Sequence, residues 1–380
     1  MTPHMMLNTR SLTPPSRTYY IRETVVVAAK VRNENGRAFS NGRKGSIATL
    51  RPAAASKVRN GWKADARSLL VKLVAVAVAT SQSHLHAPRR GVCDSQGQEL
   101  KQQGETMATV AGELPVGGRR DDHLSGTPRA HSADRWIFVA MAMWFIGIVL
   151  VGFIPDSMMK VGMVRAGARA PFPLVLHVHA VLMGSFLLLL LAQTLMVATG
   201  RCALHKQVGV AAFVLVPALV VVGLLLAPTM YYQVWGGAHF GPPQVRAALA
   251  PVVPLLENIL LLQINAGVLF AAFMTIALRA RATHSGLHKR MVFLATAVPL
   301  GAAIDRMSWL PSSMPANPWA TDAYVLAALA PLFVWDVVRH RRIHQAYVLF
   351  LGLYVPAAAL VIVAWDKPWW HAAAHRIMGV

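Results

Sequence analysis

The sequence predicts an all-α protein, a polytopic bundle of about seven transmembrane helices behind a disordered, basic N-terminal leader. Three observations carry that expectation. Hydrophobic residues make up 55% of the 380 residues and charged residues only 14%, against about 25% charge in an average soluble domain. Long apolar runs recur after residue 135, separated by short polar stretches. Acids are scarce there: Asp156, Glu257, Asp305, Asp322, Asp336 and Asp366 stand against 17 Lys and Arg. The two cysteines, Cys93 and Cys202, make neither a disulfide framework nor a C-x-x-C metal or redox pair. Collagen-like, coiled-coil and disulfide-scaffold classes are thereby excluded.

Residues 1–134 form the leader. They have no apolar period long enough for a core, and Gly, Arg, Ser and Pro punctuate them throughout. The first 63 residues hold 12 Lys or Arg and only Glu23 and Glu34 as acids, the balance of an organelle transit peptide. A second reading stands beside it: Met107 opens a short polar lead into the first hydrophobic helix, so residues 1–106 would be untranslated. The run Leu69–Thr80 has 12 residues and contains Lys72, too short for a bilayer core that needs about 20.

From residue 135 the domain is read as seven spans: Trp136–Ile154, Pro173–Ala198, Val208–Ala227, Val252–Leu278, Met291–Leu310, Ala323–Val338 and Ala346–Trp365. Each comes near the length that a hydrocarbon layer of about 30 Å demands at about 1.5 Å per residue. Lipid offers no hydrogen bonds, so each run must pair its amides internally and is a helix. The fourth run is long enough to tilt or protrude, and the sixth is the shortest. Basic residues mark the cytoplasmic side. With the N-terminus inside, nine Lys and Arg lie in inner loops and six in outer ones. The expected arrangement is N-inside and C-outside, with tryptophans at the span ends as interfacial anchors.

Three short segments repeat at the inner ends: Leu204-His205-Lys206, Leu287-His288-Lys289 and Ile343-His344-Gln345. Each follows one or more arginines, as duplication of a helical hairpin with a basic inner turn would produce. Histidines at equal depth on adjacent helices are a possible ligand set for b-type haem, through His205, His288 and His344. The plainer account places them among lipid headgroups at helix starts.

The outer half holds polar residues inside spans: His177 and His179 in the second, Glu257, Asn258, Gln263 and Asn265 in the fourth, Asp305 and Arg306 in the fifth. Ionisable groups in lipid are costly and face one another. His177 and His179 are about 200° apart around a helix, so one of them faces inward, and Gln193 on nearly the same stripe selects His179. Asn258 and Asn265 are seven apart and share a stripe. The layer suggests a binding pocket for a small solute or ion, or a proton relay through His179, Glu257 and Asp305. The structural alternative is an ion pair of Arg306 with Glu257 or Asp305. His371 and His375 stand four apart after Pro368, which suits the first residue of a short outer helix that turns both one way. With His179 and Asp305 they are a conceivable divalent-metal set for a hydrolase.

The chain has no G-x-S-x-G elbow, phosphate loop or H-E-x-x-H, and its scattered charge lacks the aromatic interleaving of a nucleic-acid surface. The expected partners are the lipid bilayer and a small solute or ion, not nucleic acid.

Four segments together, His177-Val178-His179-Ala180, Gly200-Arg201 with Leu204-His205-Lys206, Asp305-Arg306 with Trp309-Leu310-Pro311, and Asp366-Lys367-Pro368-Trp369-Trp370-His371, resemble a family of uncharacterised bacterial multi-pass membrane proteins. The resemblance covers residues 135–380 and implies a polytopic protein of the bacterial inner membrane; it transfers no catalytic residue. A looser likeness to seven-helix membrane hydrolases of the ceramidase type stops at the H-x-x-x-H pair, which here follows the last span.

Overall fold

The computed structural model describes residues 132–380; the expectations for the leader, including Met107, Leu69–Thr80 and Cys93, lie outside the described residues. Seven helices are long and apolar enough to cross a membrane: α1 Ala133–Arg165, α2 Leu174–Ala198, α3 Cys202–Phe240, α4 Pro243–Ala280, α5 Ser285–Ile304, α6 Trp319–His340 and α7 Gln345–Ala364. An eighth, α8, Pro368–Met378, follows. Among the described residues there is no strand. The chain is an all-α, multi-pass membrane bundle, as composition and run length predict.

Most spans are longer than the sequence reading has them, with α3, α4, α5 and α6 beginning four to nine residues earlier; at three ends the difference has a local reason. α1 runs past Ile154 and through Pro155 to Arg165, a proline that membrane helices tolerate because neighbouring groups take up the freed carbonyl. α3 continues past Ala227 to Phe240, since Tyr231, Tyr232 and Trp235 pack with Leu260 and α8 in an apolar cluster of their own. α5 ends at Ile304 and not at Leu310. It is broken by a 3-10 turn at Val298–Leu300 around Pro299, and Arg306 folds back to donate to the carbonyl of Ala302.

Packing places α5 in the centre. Most of its apolar stretch is buried, whereas each of the other spans leaves most of its own exposed. α5 contacts α1, α4, α6 and α7, while the neighbouring pairs α1–α2, α2–α3, α3–α4, α4–α7, α7–α6 and α6–α1 close a ring of helices around it. The buried side of α1 is a stripe, Phe138, Met141, Ala142, Phe145, Ile148 and Gly152, at the spacing of one helical face. At Gly152 the backbones of α1 and α5 approach so closely that a β-carbon would collide with the carbonyl of Ala303. Phe145 and Phe293 join the two helices with ring centroids 5.8 Å apart. Trp144 donates its indole N–H to the carbonyl of Ala328 at 3.2 Å, tying α1 to α6.

The alternation of helices sorts the ionisable residues to two ends. The starts of α1, α3, α5 and α7 share one end with Asp134, Arg290, Asp336 and Arg339. The starts of α2, α4 and α6 share the other with Asp156, Glu257, Asp305 and Asp366.

Candidate functional site

Glu257 lies in α4, one turn into the stretch Val253–Ala280, and is 2% exposed. A carboxylate at that burial needs donors on both oxygens. They arrive from α8. This helix opens with Pro368 at its first position, where a missing N–H costs nothing. Trp370, Ala374 and Met378, each four residues on from the last, are buried against α3 and α4. His371 and His375 sit one residue after Trp370 and Ala374, so both flank the buried stripe. His371 Nδ1 lies 2.5 Å from Glu257 Oε2, and His375 Nε2 lies 2.7 Å from Oε1. Tyr231 of α3 donates its hydroxyl to Oε1 at 3.2 Å.

The helix is pinned along its length. Asp366, in the left-handed conformation at φ 57°, turns the chain between α7 and α8 and donates its N–H to Asn258 Oδ1 at 3.1 Å. Trp370 donates to the carbonyl of Glu257 at 3.0 Å, and Tyr232 donates to the carbonyl of Met378. His371 Nε2, on the side away from Glu257, is 3.2 Å from Asp366 Oδ1. A continuous hydrogen-bonded chain thus runs Asp366, His371, Glu257, Tyr231. Side-chain exposure falls along it from 72% at Asp366 to 22% at His371 and 3% at Glu257.

The remaining outer-layer residues find other partners. His179 is half-buried and His177 exposed, the assignment its helical stripe predicts; His179 Nδ1 is buried without a hydrogen-bond partner, and His177 meets Phe172 edge-on. Asn265 is half-buried on α4. Asp305 follows the end of α5 and accepts the hydroxyl of Thr321 at 3.0 Å. Arg306 pairs with Asp156 on α1 at 3.2 Å, where Lys160 is the second partner at 2.6 Å. Arg306, expected beside Glu257 or Asp305, meets Asp156, which the continuation of α1 through Pro155 carries to this end. Glu257, expected in a relay with His179 and Asp305, makes its side-chain hydrogen bonds to Tyr231, His371 and His375.

The three inner histidines each have a local partner through Nδ1. His344 caps α7 by accepting the N–H of Ala346 at 3.0 Å. His288 Nδ1 meets the carbonyl of Ala277 at 2.8 Å, joining α5 to the end of α4. The Gln193 carboxamide, oriented to suit both neighbours, donates to His205 Nδ1 and accepts the N–H of Gly209 at 3.0 Å. Among the described residues, no group of three or more His, Cys, Asp or Glu is placed to hold a metal ion. The set His179, Asp305, His371 and His375 is divided: its last two point their nitrogens at one carboxylate.

At the opposite end lies a cluster that sequence reasoning passed over. Arg290 is 1% exposed and forks onto Asp336, Nε to Oδ2 at 2.6 Å and Nη2 to Oδ1 at 2.8 Å. Tyr347 donates to Asp336 Oδ2 at 2.6 Å, and Arg290 also donates to the carbonyl of Gly286 at 3.2 Å. The sequence carries a signal for it: Asp336 lies inside the expected sixth span and Arg290 directly precedes the fifth.

Comparison with known protein families, characterised proteins and solved structures finds no match for this chain. The site therefore carries the functional argument alone.

Proposed function

We propose that this multi-pass membrane protein binds a proton or small solute at the outer polar layer and moves it across the bilayer, with Glu257 as the binding group. The observation that supports the reading is a buried carboxylate, the only glutamate among the described residues, contacted by two histidines on the short helix that follows the last span. Ionisable residues inside a membrane bundle pair with one another, and chains of carboxylates and imidazoles there mark proton relays. We place the protein in a bacterial inner membrane, N-terminus inside and C-terminus outside, on the positive-inside asymmetry of its loops.

The test is proton flux into proteoliposomes containing the purified full chain, a trapped pH-sensitive dye and an imposed potassium diffusion potential. Wild type is expected to carry protons above the leak of protein-free vesicles. Glu257→Gln, which keeps the side-chain volume and loses the ionisable group, is expected to fall to that leak while remaining folded in detergent. Equal flux in the two proteins would refute the proposal.

A further inference from the structure

We infer that His371 is the shuttle that loads Glu257 from the membrane surface and that the proton itself is the ligand of this site. The inference rests on the reading of Glu257 as the binding group and specifies its substrate and route. His371 bridges two carboxylates of opposite exposure, through Nε2 to Asp366 Oδ1 at 3.2 Å and Nδ1 to Glu257 Oε2 at 2.5 Å. Asp366 stands at the outer lip with its backbone N–H anchored on Asn258. A proton arriving there has one imidazole between it and the buried carboxylate.

The step balances without a co-reactant. Asp366, or water beside it, gives a proton to Nε2. The N–H bond at Nδ1 then breaks as an O–H bond forms at Glu257 Oε2, leaving a neutral imidazole protonated on Nε2. When Glu257 hands its proton back to Nδ1 and the imidazolium loses the Nε2 proton outward, the step is reversed. When Glu257 releases its proton toward the other face, rotation of the neutral ring turns its protonated nitrogen to Oε2 and its bare nitrogen to the surface, ready for the next proton. A larger ligand meets an occupied carboxylate: Oε1 already takes Tyr231 and His375, and Oε2 takes His371. The ionisable groups bonded to the imidazole or to its carboxylate are Glu257 from α4, Tyr231 from α3, and Asp366 and His375 before and within α8. Tyr231 and His375 hold the carboxylate in place.

The experiment separates relay from scaffolding. His371→Asn retains an N–H donor near the position of Nδ1 but has no second nitrogen to pass a proton through. In the same proteoliposomes it is expected to slow proton flux about tenfold or more, in the range of a lost general acid–base group. His371→Ala is expected to be slow alone and to recover in part when imidazole is added outside the vesicles. His371→Asn conducting like wild type, or His371→Ala unmoved by imidazole, would overturn the shuttle. If either occurs while Glu257→Gln still loses flux, the binding role of Glu257 stands. If Glu257→Gln conducts normally, both proposals fall.

Discussion

Arg290 and Asp336 carry the highest electrostatic stakes of any single pair in the bundle. Their side chains are 1% and 3% exposed, and neither charge has water to fall back on if the other is removed. Breaking a buried pair by removing one partner costs about 3–5 kcal/mol, whereas replacing both by apolar groups is often neutral. We expect Arg290→Met and Asp336→Leu each to lower the unfolding temperature of the detergent-solubilised protein markedly, by that order of free energy. The double variant is expected to regain most of the loss. Singles as stable as wild type would show that the pair contributes nothing. Tyr347 is the third member, and its hydroxyl on Asp336 Oδ2 explains why the arginine and the carboxylate fit as a fork: the oxygen not fully spent on Arg290 has its own donor.

At the level of helices, α8 is the element on which the site depends. It is amphipathic, with Trp370, Ala374 and Met378 buried and Trp369 and Ile377 exposed, the pattern of a helix lying at a membrane interface. Its docking covers Glu257, so its removal should uncover it. Ending the chain after Asp366 is expected to raise labelling of Glu257 by a hydrophobic carbodiimide several-fold over the full-length protein, read by mass spectrometry, with Glu257→Gln as the unlabelled control. Equal labelling would mean that α8 leaves the carboxylate as accessible as before. The central position of α5 has an equally local cause. Gly152 lets α1 come within backbone contact at Ala303, the small-residue approach by which membrane helices gain packing where no hydrophobic effect drives them together.

Over the whole molecule, charge is divided unevenly between the ends. Within residues 132–380 the end that holds Arg290 carries ten Lys or Arg and two acids, while the end that holds Glu257 carries seven and five. An odd number of crossings puts Arg342, just after α6, and Lys367, just before α8, on opposite faces. Cysteines placed at Arg342 and Lys367 in a cysteine-free chain are expected to react with a membrane-impermeant maleimide from opposite sides, Arg342→Cys from the cytoplasm. Labelling of both from one side would break the seven-span topology.

Much of this architecture is legible in the sequence because the constraint behind it is local. Lipid withholds hydrogen bonds, so a sufficiently long apolar run is a helix whatever surrounds it, and all seven runs are helices in the structure. The inward turn of His179 and the short helix starting at Pro368 are likewise readable, since helical angle and proline chemistry act within a few residues. The site was only half legible. Glu257, Asn258, His371 and His375 were each recognised as candidates, but Glu257 was matched with His179 and Asp305, because depth along a span is visible in sequence and adjacency around the ring is not. Tyr231 carries no signal in the sequence and Trp370 reads there only as an interfacial anchor; their bonds to Glu257, through the hydroxyl to the carboxylate and through the indole N–H to the backbone carbonyl, depend on how the helices pack.

By itself, then, the chain's order of residues determined that there are seven spans, that they are helical, and which polar groups share an end. Only the tertiary structure decided that α5 is central, that Arg306 meets Asp156, and that Glu257 meets histidines 114 and 118 residues away. The physical reason is range. Hydropathy and backbone hydrogen bonding act within a helix, whereas the choice of which buried charge faces which is settled by the packing of helices that the sequence keeps far apart.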